Sequence, residues 1–249
     1  MQSKFNLSNL DIVRLDEIDS TNTYGLENIS KFSNATTIIA AKQLQGRGRF
    51  NRRWFCDGTS NVYLSIILKP DNDKYPFSNL TQYLCVVVCS VLEKKYGVIP
   101  NIKWPNDILV EGSKISGILC ESVSSNGQIN GLVLGVGVNL NLKYETIKKI
   151  DQKATSLNFV VGHDIDTEKF ITYLLEEFWN GYDSFVKKGF EFIVEEYISK
   201  CNFLNKIVNI KNNGEYSEYF AIKINNDGSL RIRDCDNKEI DIMTGDLIL

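Results

Sequence analysis

GLVLGVGVNLN, residues 131–141, is the stretch from which the fold is read. Alternation along an extended chain sends Leu132, Leu134, Val136, Val138 and Leu140 to one face and Val133, Gly135, Gly137, Asn139 and Asn141 to the other. The first set is a core face. The second is nearly bare, and glycine at alternate positions weakens a strand, so this face calls either for close backbone packing or for a flat ligand resting on it. Asn139 offers an amide at its end.

Working outward, strands are expected at 12–15, 36–41, 62–68, 102–104, 108–110 and 115–121, with Glu111-Gly112-Ser113 as a hairpin turn. Asp19-Ser20-Thr21-Asn22 supplies short side-chain acceptors for the start of a helix running to about Ile29. Residues 80–96 carry Leu80, Leu84, Val87, Val88 and Val91 at helical spacing and are stopped by Gly97 and Pro100. Further helices are expected at 167–188, where Phe170, Leu174, Phe178, Tyr182 and Phe185 form one face, and at 190–200. From Lys206 the pattern changes to short alternating strands at 206–211, 217–224, 229–233 and 239–243, with Asn226-Asp227-Gly228 as a turn. The expectation is an α+β protein with a mixed or antiparallel sheet and packed helices over residues 1–200. A small SH3-like β-barrel is expected over 201–249.

The net charge of −3, with 43% hydrophobic and 24% charged residues, is that of an ordinary soluble protein. No apolar run approaches the roughly 18 residues of a membrane span, and the first residues have no signal-peptide character, so a cytoplasmic location is expected. No helix-turn-helix fits before Ile12. The six cysteines contain no C-x-x-C pair and read as buried, reduced thiols. The single histidine, His163, excludes metal sites built on several histidines and reads as a turn residue beside Gly162. The chemistry is expected to need no histidine base.

That chemistry is sought first in QGRGRFNRRW, residues 45–54, where four arginines stand in an otherwise slightly acidic chain. Arg47 and Arg49 alternate with Gly46 and Gly48, so guanidinium forks and bare backbone N–H groups can meet one anion. The alternative is a solvated basic turn or an RNA-binding segment. In KWPND, residues 103–107, Pro105 would interrupt a central strand, so the segment bends at a sheet edge and exposes Asn106 and Asp107. Lys114 lies across the hairpin turn and is followed by Gly117, which leaves room for a ligand on the sheet beneath the ammonium.

DSTN at 19–22, QGRGR with Trp54, KWPND with Lys114 and GILCE, and GVGVN before ATSL occur together and in order. With these motifs the chain resembles the biotin protein ligases over its length from about Ile12. The resemblance implies a class II synthetase-like catalytic domain of the monofunctional type, without a DNA-binding domain. It implies an activity that forms biotinyl-adenylate from biotin and ATP with Mg²⁺ and then biotinylates a lysine of a biotin carboxyl carrier protein. By the same resemblance Ser20, Thr21, Asn22, Gln43, Gly46, Arg47, Gly48, Arg49, Lys114, Gly117 and Leu119 contact biotin. Arg47, Arg49, Trp54, Asn106, Lys114 and Asn139 contact ATP, while Lys114, Arg47, Arg49 and Asp107 serve catalysis. No metal ligands are assigned. The implied partners are the carrier and the two small substrates, without DNA or membrane, in a monomer or weak homodimer. The rivals are a lipoate ligase or acyltransferase of the same superfamily and, in another class, a non-enzymatic RNA-binding protein. The family commonly has a basic or small residue and then glycine where this chain has Phe50-Asn51; asparagine tolerates the left-handed backbone better than other non-glycine residues.

Overall fold

The computed structural model of the protein describes residues 10–56, 58, 61–70, 77–125, 128–212 and 215–248. A seven-stranded sheet is built from β1 (Ile12–Ile18), β2 (Thr37–Gln43), β3 (Val62–Leu68), β4 (Asn101–Lys103), β5 (Asp107–Val110), β6 (Ser113–Ser125) and β7 (Gln128–Val138). Its order is β1-β2-β3-β7-β6-β5-β4, with β1 and β2 parallel and every other neighbour antiparallel. Glu111 (φ 50°) and Gly112 (φ 71°) make the tight turn between β5 and β6, where two positive φ values match the twist of the paired strands. The chain reverses at Pro105 between β4, the edge strand, and β5.

The strand β7 is central, and its two faces do different things. Leu132, Leu134, Val136 and Val138 enter the main core with α2 (Leu80–Tyr96) and α5 (Thr167–Lys188). α2 is buried nearly all round because it lies between the sheet and α5. Tyr83 of α2 stacks on Phe185 of α5 at 4.5 Å between ring centroids, and the expected aromatic face of α5 is therefore packing surface. On the other face of the sheet, α1 (Thr21–Glu27) crosses at Gly25, against Val133 and Ile67. Short helices α3 (Tyr144–Ile147) and α4 (Leu157–Val161) follow β7, and the expected helix at 190–200 resolves into a 3₁₀ turn, Gly189–Phe192, and α6 (Val194–Ser199).

The C-terminal part corrects the expected SH3-like barrel. β8 (Ile207–Asn212), β9 (Glu215–Ile224), β10 (Leu230–Arg233), β11 (Glu239–Ile242) and β12 (Asp246–Ile248) form an antiparallel sheet in the order β11-β10-β9-β8-β12, and β11 does not pair with β12. The apolar side chains of this sheet share one core with the first sheet and its helices. Val208, Ile210, Ala221, Ile224, Leu230, Ile232 and Leu247 belong to the same buried cluster as Trp104 and α2. Trp104, 1% exposed, donates its Nε1–H to the Gly228 carbonyl at 3.1 Å, and Gln82 Nε2 donates to the same oxygen at 2.8 Å. Trp104→Phe removes one bond and leaves a gap; a loss of about 1–3 kcal/mol is expected. In a chain of this size it would appear as a melting temperature lower by about 2–4 °C per kcal/mol in thermal unfolding.

Among the described residues no disulfide joins any cysteine, and no helix is long and apolar enough to cross a membrane. Cys85, Cys89 and Cys201 are buried, and burial pushes their thiols above the ordinary cysteine value; Cys56 and Cys120 are half-buried. Cys235 is exposed, unlike the expected buried thiols.

Candidate active site

A cleft of about 880 Å³ lies over the face of the first sheet that carries the bare glycines. Its floor is the cross-strand pair Gly117–Gly137, with Leu119 opposite Gly135 one step along. The glycines make room for side chains of the protein itself. A Cβ on Gly135 would come within 2.0 Å of Asn22 Oδ1, and one on Gly137 within 2.5 Å of Trp54 Cε2. The indole thus lies flat on Gly117 and Gly137, and its buried Nε1 has no hydrogen-bond partner among the described residues.

At one end of the cleft, buried polar side chains from α1, β2 and β3 converge. Ser20 caps α1, its hydroxyl 3.5 Å from the Thr23 amide nitrogen. Gln43 Oε1 accepts from the Thr21 amide at 2.7 Å, and the Ser65 hydroxyl lies 2.7 Å from both Thr21 Oγ1 and Asn22 Oδ1. Asn22 Nδ2 donates to the Leu119 carbonyl at 3.2 Å and to Glu121 Oε2 at 3.1 Å.

The arginine loop closes over this end as a small hairpin, with Gly48 N–H donating to the Arg52 carbonyl and Trp54 N–H to the Gly46 carbonyl, each at 2.8 Å. Asn51 takes a left-handed conformation (φ 57°), as asparagine tolerates, but so does Phe50 (φ 55°), a strained choice for a residue with a bulky side chain. The Phe50 ring lies on the surface with the Arg49 guanidinium 4.8 Å from its centroid. Arg47 reaches across α1 to Glu121 Oε1 (2.7 Å) and Thr23 Oγ1 (3.3 Å). Arg49 donates to Asn106 Oδ1 at 3.0 Å, Thr244 Oγ1 at 2.5 Å and the Gly245 carbonyl at 3.2 Å, and burial pushes its guanidinium below the ordinary arginine value. Arg52 pairs with Asp246, whose hydrogen bond raises the arginine pKa.

At the other end, Lys114 Nζ pairs with Asp107 Oδ1 at 2.8 Å, with side chains only 16% and 14% exposed. The ammonium stands 5.5 Å from the Trp54 ring centroid, over Gly117. Lys114 is fixed from behind: its N–H donates to the Lys153 carbonyl and its carbonyl accepts from Thr155 N–H, both at 2.9 Å.

The structure therefore brings Ser20, Thr21, Asn22, Gln43, Arg47, Gly48, Arg49, Trp54, Asn106, Asp107, Lys114, Gly117 and Leu119 to one cleft. Gly46 lies behind the wall, where an added Cβ would meet the Trp54 carbonyl at 2.7 Å. Asn139 is buried away from the cleft and gives its amide to the Thr155 carbonyl at 3.0 Å, holding the segment that fixes Lys114. Glu121, Ser65, Thr244 and Asp246 are neighbours that sequence reasoning passed over. Period two along β6 puts Glu121 on the face of Gly117 and Leu119, a signal present in GILCE. The contacts of Thr244 and Asp246 span nearly the whole chain and leave no local trace. Among the described residues no group of three His, Cys, Asp or Glu side chains could hold a metal ion.

The model of the biotin/lipoate A/B protein ligase family matches residues 15–139. The bifunctional ligase/repressor BirA of Bacillus subtilis is 34% identical over 156 residues, 62% of this chain and 48% of that protein. This chain thus spans about half the length of that relative. The biotin--[acetyl-CoA-carboxylase] ligase of Paracoccus denitrificans is 27% identical over 224 residues, covering 88% of this chain and 92% of the other. Among solved structures, the biotin protein ligase from Aquifex aeolicus in complex with biotin and ATP superposes with a TM-score of 0.79 at 26% identity, over 96% of this chain and 97% of that one. With half of its residues matched, and with the motif residues of that half lining one cleft, the chain belongs to the biotin/lipoate A/B protein ligase family.

Proposed function

We propose that the protein is a biotin protein ligase: it joins biotin to ATP as biotinyl-adenylate and passes the biotinyl group to a lysine of a biotin carboxyl carrier protein. The observation that carries this reading is a single cleft with a buried polar pocket at one end, Lys114 and Asp107 at the other, and Arg47 and Arg49 of the arginine loop in its lining. A ureido head needs both donors and acceptors, which Ser20, Thr21, Asn22 and Gln43 supply; the dithiolane of lipoate could make no hydrogen bond with them.

In the first step an oxygen of the biotin carboxylate bonds to the α-phosphorus of ATP. The bond to the bridging oxygen breaks, and its electron pair leaves with pyrophosphate. Two anions must approach, and at ~4 Å unit charges repel by about 1 kcal/mol in water and about 4 kcal/mol at an effective dielectric of 20. Lys114 offsets this by exchanging Asp107 for the carboxylate and α-phosphate oxygens, with Arg47 and Arg49 adding charge from the loop. Magnesium enters with the nucleotide phosphates as MgATP. Trp54, on the glycine floor, is the surface for the base. In the second step the carrier amine attacks the acyl carbon and AMP leaves; Asp107, released from Lys114, accepts the amine proton. Residues 1–200 would carry both steps, with 201–249 bracing the loop through Thr244 and Asp246. The reduced thiols and the ATP substrate fit a cytoplasmic location.

The mixed anhydride must be kept from water, and Arg47, tied to Thr23 and Glu121, straps the loop over it. Arg47→Ala is expected to speed escape of the intermediate about tenfold, measured as biotinyl-adenylate recovered in a filtrate; unchanged retention would exclude the strap. The reading itself is tested by incubating the protein with biotin, MgATP and a carrier domain. One added biotinyl group in the mass spectrum of the carrier is expected, and an unmodified carrier with no ATP–pyrophosphate exchange would overturn the assignment.

A further inference from the structure

The wall of the cleft around Lys114 holds a second lysine that has no ion-pair partner among the described residues. Lys103 ends β4 opposite Asp107, and its half-buried side chain lines the cleft. Its neighbours are engaged: Lys114 by Asp107, Arg52 by Asp246, and Arg49 by Asn106, Thr244 and the Gly245 carbonyl. Of the other cations lining the cleft, Arg47 pairs with Glu121, Arg53 donates to the Leu44 carbonyl, Lys211 stands over the Tyr216 ring and Lys149 is exposed to solvent. The Lys103 ammonium makes no hydrogen bond or ion pair with any described residue. Burial pushes it below the ordinary lysine value in spite of the attraction of Asp107 and Asp246, while Lys114 and Arg52 push it in the same direction as burial.

Lys103, Lys114, Arg49 and Arg52 share the field of Asp107 and Asp246, and the rest of the lining adds Arg53, Lys149 and Lys211 against Asp151, so the cleft carries a surplus of positive charge. A protein rarely keeps a desolvated ammonium without a partner, because the cost of removing it from water is not returned until an anion binds. One carboxylate and one phosphodiester would be met by Lys114 and the arginines alone. The surplus calls for a ligand with several negative charges held close together.

We propose that Lys103 is a further catalytic residue, which binds the β- and γ-phosphates of ATP and takes up the charge that develops on pyrophosphate as it leaves. The inference rests on the ligase reading and assigns the departing side of that reaction. When the bond between the α-phosphorus and the bridging oxygen breaks, the electron pair settles on pyrophosphate, and an ammonium already partly withdrawn from water stabilises it with little reorganisation. No proton moves in this step. Lys103 has no part in acyl transfer, because pyrophosphate has gone by then.

The test compares wild type with Lys103→Met, which keeps the length and loses the charge, and with Lys103→Arg, which keeps the charge. Inorganic pyrophosphate with magnesium is titrated into each protein by calorimetry, and Lys103→Met is expected to bind it about 30- to 100-fold more weakly. Biotin-dependent ATP–pyrophosphate exchange should fall by a similar factor. Transfer from chemically prepared biotinyl-adenylate to a carrier domain should stay within about twofold of wild type. Lys103→Arg should recover most of the exchange. The melting temperature of Lys103→Met should equal or exceed that of wild type, since a half-buried charge without an ion-pair partner has been removed. Equal pyrophosphate affinity in wild type and Lys103→Met overturns the inference, as does a parallel fall of both half-reactions. If wild type gives no exchange the ligase reading fails, and the calorimetric comparison still decides the role of Lys103.

Discussion

Lys114→Ala is expected to lower biotin-dependent ATP–pyrophosphate exchange by about 10²–10³-fold, the largest effect anticipated for a single side chain here. The lysine stands over Gly117 with its backbone clamped on both sides by Lys153 and Thr155, so its ammonium is held in a fixed place. Substrate binding should suffer much less, because Asn22, Gln43 and the loop are untouched. The fall should therefore appear in kcat more than in the KM for biotin. One complication is built into the geometry: removing Lys114 leaves the Asp107 carboxylate, 14% exposed, without its 2.8 Å partner. A fall in stability would follow from that alone. Lys114→Ala combined with Asp107→Asn separates the two effects. The double variant should recover melting temperature and remain inactive in exchange; exchange at the wild-type rate in either variant would remove Lys114 from the chemistry.

Gly135→Ala is expected to weaken biotin binding by about 100-fold, close to 2.8 kcal/mol. The added methyl would lie 2.0 Å from Asn22 Oδ1, and Asn22 cannot move aside without giving up its bonds to the Leu119 carbonyl and Glu121 and its contact with Ser65. Buried hydrogen bonds of this kind are worth about 1–3 kcal/mol each when one partner is left unsatisfied. Calorimetric titration with biotin measures the loss. The central position of β7 makes some destabilisation inevitable, about 1–3 kcal/mol for an overpacked site, so thermal unfolding is read in parallel. If biotin binds the variant as tightly as wild type, Asn22 is not part of the head-group pocket.

How much of this was legible in the sequence depends on how local each determinant is. The bounds of β3, α2 and α5 match the expected ones, because an uninterrupted apolar pattern meets a firm stop such as Leu68-Lys69-Pro70 or Gly97. The two faces of β7 also separate as alternation demands. What rests on the bare face was open, and it is occupied by Asn22 and Trp54, which arrive from elements far away in sequence. β12 is three residues long and carries no period of its own. Whether the last five strands close on themselves is not set by their own alternation, and the Trp104 indole, which comes close to Gly245, reaches them from the first sheet. In the cleft, the clustering of GRGR, KWPND and Lys114 follows from strand order. The direction of the Asn139 amide, turned to Thr155, follows from loop packing that no spacing rule encodes.

An open C-terminal sheet ends in two strands whose outer amide and carbonyl ladders could template association with another chain. The protein keeps both ladders short, three residues in β12 and four in β11. It also sets charge along them: Glu239 and Asp241 on β11, paired to Arg231, and Asp246 on β12, turned inward to Arg52. The ion pair that braces the arginine loop thus doubles as a guard on a sheet margin, and charge-removing substitutions at Asp246 would expose the protein to edge-to-edge aggregation as well as loosening its lid.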